Sequence, residues 1–203
     1  TTFEKPLKKI PITLGAQNIH HMNSGAFTGE ISASMIKSCG CKIVELGHAE
    51  RFKYFNETNL NINKKISQAL KYNLIPLVCV GENKKVSSIS LRKKTLLKKI
   101  KIFLNKIYLT KNQIIILAYE PIWAIGKSKS ANVKYITETI DFIREYSLKI
   151  LKINKNQLQI IYGGSVNKTN ASKLLEINNL DGIFIGRSAI NAKDFINICK
   201  MIK

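Results

Sequence analysis

Six short, nearly continuous apolar runs recur along the chain: PITLGAQN at 11–18, KIVELGH at 42–48, LIPLVCVGE at 74–82, IIILAYEP at 114–121, LQIIYGG at 158–164 and GIFIG at 182–186. Continuous rather than alternating apolar character fits strands buried on both faces, as in a parallel sheet. Helix-period segments separate them. NLNINKKISQALKYN puts Ile62, Ile66, Ala69 and Leu70 on one stripe. LRKKTLLKKIKIFLNKI does the same with Leu91, Leu96, Ile100 and Leu104, and VKYITETIDFIREYSLKIL with Ile136, Ile140, Ile143 and Leu148. Alternating strand and helix predicts βαβ units with right-handed crossovers. Pro76 falls near the start of its strand, where a missing donor is tolerated. No low-complexity linker divides the chain, so 1–203 is expected to be one domain.

Periodicity does not separate an open doubly wound sheet from a closed barrel. The dinucleotide fingerprint Gly-x-Gly-x-x-Gly is absent after every run, and polar or glycine residues mark the strand C-termini instead: Asn18, His48, Glu82, Glu120, Gly163-Gly164 and Gly186. That distribution favours a TIM barrel, whose sites assemble at that face.

Composition narrows the function classes. At 203 residues and 45% hydrophobic the chain can bury a sizeable core. No apolar run is long enough to span a bilayer, and no membrane role is expected. The net charge of +20 invites a nucleic-acid reading, but only Arg51, Arg92, Arg144 and Arg187 are arginines, and the lysines are scattered on helix faces. A solvated surface is the reading adopted. Cys39, Cys41, Cys79 and Cys199 lack paired spacing and are read as reduced core thiols of a cytoplasmic protein. Cys39-Gly-Cys41 is a weak metal or redox signal.

Glu120 ends a buried strand and is followed by Pro121, Trp123 and Gly126. This pattern reads as a base beneath a lid that closes and excludes water, with a surface carboxylate as the alternative. His48 ends another strand just before a helix start, where backbone amides directed at the ring would keep it neutral and able to donate to a carbonyl; a structural histidine is the alternative. His20 and His21 read as surface or interface residues. YGGSVN at 162–167 and GIFIGRSA at 182–189 each follow a strand and precede a helix, an arrangement suited to an anion. Ser165 and Arg187 would add a hydroxyl and a charge.

GAQN (15–18), SGAFTGEIS (24–32), LGHAER (46–51), VCVGE (78–82), AYEPIWAIG (118–126), YGGSV (162–166) and DGIFIG (181–186) resemble, in order and along essentially the whole chain, the triosephosphate isomerase family. The resemblance implies an enzyme interconverting dihydroxyacetone phosphate and D-glyceraldehyde 3-phosphate in glycolysis and gluconeogenesis through an enediolate. Glu120 would shuttle the proton and His48 would be the electrophile. Gly126, Ser165, Gly186 and Arg187 would hold the phosphate, and Pro121, Ile122, Trp123, Ala124, Ile125, Lys127, Ser128 and Lys129 would belong to the lid. It also implies a homodimer formed through the loop Gln17–Glu30, and neither metal nor organic cofactor. An inactive phosphate-binding barrel and a basic nucleic-acid binder are the competing classes.

The family's first strand, with its Asn-x-Lys motif, has no counterpart here, and TTFEKPLKK resembles the segment after the second strand. About six of eight βα units are therefore expected, as in a fragment of a longer sequence. Ala49 stands where the family usually has Ser and Phe52 where it has Arg. Lys127-Ser128-Lys129 replaces Thr-Gly-Lys, and Arg187 replaces Gly, so its amide serves only if the backbone angles suit a residue with a Cβ.

Overall fold

The computed structural model describes residues 12–127 and 130–202. The six runs form one parallel sheet in sequential order: β1 (Gly15–Ala16), β2 (Ile43–Leu46), β3 (Ile75–Val80), β4 (Ile115–Tyr119), β5 (Leu158–Tyr162) and β6 (Gly182–Ile183). Every neighbouring pair is parallel, with Val44 opposite Pro76, Leu77 opposite Ile116 and Tyr119 opposite Tyr162. The fold is thus α/β with a curled six-stranded sheet, part of a TIM barrel, and among the described residues β6 does not pair with β1. Among the described residues the first and last strands are the shortest, two residues each. The segment TTFEKPLKK lies outside the described residues.

Between strands lie α1 (Ala33–Ser38), α2 (Ala49–Tyr54), α3 (Asn59–Lys71), α4 (Ile89–Phe103), α5 (Val133–Leu151) and α6 (Ala171–Leu175), and α7 (Ala192–Cys199) follows β6. Side-chain caps start the longer ones. Thr58 Oγ1 accepts from Asn61 N, Ser88 Oγ from Leu91 N and Asn132 Oδ1 from Lys134 N, satisfying amides the helix cannot reach. Two turns separate α5 from β5, and the first opens with Lys152 in the left-handed region, φ 53°.

Alternation along each strand assigns its faces. Val44 and Leu46, Val78 and Val80, Ile115, Leu117 and Tyr119, and Leu158, Ile160 and Tyr162 are almost fully buried against the helices. They meet Ile62, Ile66 and Ala69 of α3, Leu96 and Ile100 of α4, and Ile136, Ile140 and Ile143 of α5 in one apolar cluster. Each such side chain contributes roughly 1.5–3 kcal/mol on burial. The predicted stripes hold with one correction: Leu91 is 55% exposed, because it occupies the first turn of α4, ahead of the sheet. Leu148 is only partly buried. The cysteine reading needs a similar correction. Cys41 and Cys79 are core thiols, whereas Cys39 and Cys199 sit at helix C-termini and are exposed. No group of three metal-binding side chains occurs among the described residues, and no described helix is long and apolar enough to cross a membrane.

The opposite alternation points inward. In the register of the sheet, Ile43 and Glu45, Leu77 and Cys79, Ile116 and Ala118, and Gln159 and Ile161 share the inner face, and Glu120 and Gly163 continue it at the C-terminal end.

Candidate active site

At the C-terminal ends of the strands a cavity of about 850 Å³ is lined by His48, Glu120, Gly126, Ser165, Gly186 and Arg187 together with Gln17, Glu45, Glu50, Lys127 and Gly163. Loops after four different strands, β2, β4, β5 and β6, thus bring every predicted base, electrophile and phosphate-binding residue to one place.

Glu120 follows β4 directly. Its amide donates to Val80 O at 2.9 Å, continuing the ladder one residue past the strand, and the side chain is only 5% exposed. Gly81 and Gly163 make this possible, since a Cβ on Gly81 would sit 1.7 Å from Glu120 O and one on Gly163 2.7 Å from Glu120 Cγ. Burial pushes the carboxyl up to about 7, against the opposing pull of His48 and a hydrogen bond from the Cys79 thiol. Oε2 has no hydrogen-bond partner among the described residues. A buried carboxyl with one unsatisfied oxygen facing a cavity suits a general base rather than a structural ion pair.

His48 caps α2, and its Nδ1 accepts from Glu50 N at 3.3 Å. Accepting through Nδ1 places the donating N–H of the ring on Nε2. The Glu50 carboxylate is also 3.7 Å from Nδ1, an ion pair only if the ring is charged. The backbone contact decides the tautomer, because Glu50 Oε2 belongs to a side chain 71% exposed and is screened by solvent.

The lid residues follow Glu120. Pro121 leads into a short 3-10 turn, Ile122–Ala124, and Gly126 adopts φ 74° at the tip, a backbone that favours glycine. The segment expected to form the lid is tied at both ends. Trp123 Nε1 donates to Glu82 at 2.8 Å, and Ala131 N donates to the Tyr162 hydroxyl at 3.0 Å. At the tip Lys127 N donates to Ser165 Oγ at 3.0 Å, while Ser165 Oγ donates to Ala124 O at 2.6 Å. Ser128 and Lys129 lie outside the described residues. Glu82, in sequence terms only a polar strand end, is 1% exposed and accepts also from the hydroxyls of Tyr119 and Tyr135, which fixes Trp123 outside the cavity.

Gly186 and Arg187 open the turn Arg187–Ala189 beneath the tip, and the Arg187 guanidinium reaches to 3.5 Å from where a Gly126 Cβ would stand. Arg187 is not among the residues with positive φ, so a side chain is accommodated there without strain. The loop Gln17–Glu30 projects largely exposed, with His20 stacked on His21 and Phe27 at 4.3 Å. His20 and His21 are half-buried there and do not line the cavity.

Sequence reasoning gave no site role to Gln17, Glu45 or Cys79. Glu45 and Cys79 occupy inner-face positions of β2 and β3, a signal present in the alternation but hidden by reading the runs as uniformly apolar.

A sequence model of the family described as Triosephosphate isomerase matches residues 1–202. The chain is 43% identical over 190 residues to the triosephosphate isomerase of Mycoplasma mobile, covering 93% of this chain and 74% of that protein. It is 38% identical over 197 residues to that of Endomicrobium trichonymphae, covering 97% and 79%. With that of Wigglesworthia glossinidia brevipalpis it shares 39% over 201 residues, covering 99% and 78%. A match over nearly its whole length, on a barrel-type sheet whose strand ends converge on one cavity, makes this chain a member of the triosephosphate isomerase family.

Proposed function

We propose that the cavity interconverts dihydroxyacetone phosphate and D-glyceraldehyde 3-phosphate, the family's reaction, with Glu120 as base and His48 as electrophile. The observation that carries this is Glu120 itself: buried, pushed up to about 7, one oxygen unpartnered, and aimed into the cavity that His48 also lines. A base of that proton affinity is about half ionised at neutral pH and strong enough to take a proton next to a carbonyl. It removes the proton from one carbon of the triose. His48 Nε2–H donates to the oxygen on which charge develops and passes the hydroxyl proton from one oxygen of the enediolate to the other, and Glu120 returns its proton to the neighbouring carbon as the new carbonyl forms.

The phosphate is held at the mouth. Gly126, Lys127, Ser165, Gly186 and Arg187 line the cavity there, and their amides, hydroxyl and cationic side chains would supply the donors for the anion. Ser165 exchanges its bonds with Ala124 O and Lys127 N for bonds to the phosphate. The lid, Pro121–Lys127 with Ser128 and Lys129, then excludes water that would let the enediolate eliminate phosphate; this family is a standard example of such closure. A dianionic substrate suits the +20 chain. The residues present supply proton transfer and anion binding by themselves, so no cofactor enters the scheme.

A single domain is supported by the one continuous apolar cluster. A homodimer through Gln17–Glu30 is supported by that loop's exposed Met22 and Phe27. A cytoplasmic location fits a glycolytic substrate. Turnover of D-glyceraldehyde 3-phosphate by the chain, measured with a coupled dehydrogenase, tests the roles. Glu120→Asp and His48→Gln should each lower kcat by orders of magnitude with far-UV circular dichroism unchanged; an undiminished rate in either removes that residue from the mechanism.

A further inference from the structure

The inner face of the sheet is apolar at Ile43, Leu77, Ile116 and Ile161, but β2 places a carboxylate, Glu45, among them. Its neighbours in sequence, Val44 and Leu46, are fully buried on the other face, so the strand cannot turn Glu45 outward without exposing them. Glu45 lines the cavity that holds Glu120 and His48. Its Oε1 is 4.0 Å from Cys79 Sγ, and Cys79 and Glu120 together line a small void beside the cavity. Arg51, a cation on the same cavity wall, is committed to Glu57. An ionisable group set into an apolar face without a salt-bridge partner among the described residues costs stability, and such groups concentrate where chemistry is tuned.

We propose that Glu45 is a positioning residue of this active site, an inner-face carboxylate that acts on Glu120 across the Cys79 thiol and sets its basicity. The thiol has one proton to donate and two carboxyls to serve. A bond given to Glu120 favours its ionised form; a bond given to Glu45 withdraws that support. The charge on Glu45 works in the same direction, raising the affinity of Glu120 for a proton. Burial also raises Glu45 itself. The other groups facing Glu120 are His48 at the α2 cap, which favours ionisation, and Glu50 on α2, which opposes it. Arg51, Lys127 and Arg187 stand around the cavity wall. Cys79 stays a thiol throughout, because burial lifts it well above its ordinary range.

The proposal rests on Glu120 as the base, and its test separates the two claims. Glutamate labelled with ¹³C at the carboxyl is incorporated into the whole chain, and the signals are followed from pH 4 to 9. The Glu120 signal is identified by its loss in Glu120→Gln. Its midpoint near 7 should fall by about half a unit or more in Glu45→Gln, roughly a threefold loss of proton affinity, and recover in Glu45→Asp. Glu50→Gln, altering a 71% exposed side chain, should move it less. The acid limb of kcat/KM against pH should shift down with the midpoint. A Glu120 midpoint unchanged in both Glu45→Gln and Glu45→Leu overturns the coupling. A midpoint that moves while the pH–rate profile stays fixed overturns Glu45 as a residue acting on the reaction, and points away from Glu120 as the base.

Discussion

Replacing Glu120 by Gln should stabilise the fold, and by an amount that depends on pH. The carboxyl is raised from 4.5 to about 7 because burial disfavours its ionised form. A group whose proton affinity is higher folded than unfolded adds no penalty below the unfolded value. The protein then loses stability as pH rises from 4.5 to 7 and holds that loss constant above it. The full penalty is the shift of about 2.5 units, or about 3 kcal/mol at pH 8, shrinking to under about 1 kcal/mol at pH 5. Glutamine is nearly isosteric and carries no charge, so the variant escapes the penalty. Urea unfolding followed by circular dichroism at both pH values measures the difference. With a slope of about 2 kcal/mol per molar, the midpoint of Glu120→Gln should exceed wild type by about 1.5 M at pH 8 and by a few tenths at pH 5. Equal gains at the two pH values, or none at pH 8, would refute the idea that Glu120 is held against its own solvation.

Gly163→Ala should slow turnover about a hundredfold while leaving the unfolding midpoint within a few degrees, since the new Cβ would press to 2.7 Å from Glu120 Cγ and 3.0 Å from Oε1, displacing the carboxyl by a fraction of an ångström to an ångström; stopped assays and thermal melts on one preparation settle it, and a normal kcat contradicts the geometry. Glu82→Gln should shift the emission of Trp123, the only tryptophan, and raise KM, because a neutral amide holds the Trp123, Tyr119 and Tyr135 donors less firmly than a carboxylate. Unchanged fluorescence would mean that Glu82 does not anchor the lid.

Much of this was legible because each strand announces its end chemically. Runs such as IIILAYEP go from core residues to a buried carboxylate at the cavity within one step, and glycines at 81, 163 and 164 mark where backbone or a side chain comes too close for a Cβ. What stayed hidden depends on which way a residue faces. Glu45 looks like an interruption of an apolar run until pairing with β3 assigns it to the inner face beside Cys79. Leu91 fits the helical stripe by period, yet the first turn of α4 lies ahead of the sheet and leaves it in solvent. Lys65 looks like one more surface lysine, but it is buried and donates to Glu57 and to Asn18, an ion-pair network that periodicity does not foresee. Arg187 similarly proved compatible with its turn only once its backbone angles were known.

The central claim is that Glu120 moves a carbon-bound proton, and deuterium reports that movement directly. Dihydroxyacetone phosphate is incubated with the chain in D₂O and followed by ¹H nuclear magnetic resonance, beside folded Glu120→Gln at the same concentration. The account predicts deuterium at the carbon next to the carbonyl and appearance of the aldehyde isomer with the native chain, both lost in the variant. Deuterium incorporated equally fast by Glu120→Gln would contradict it.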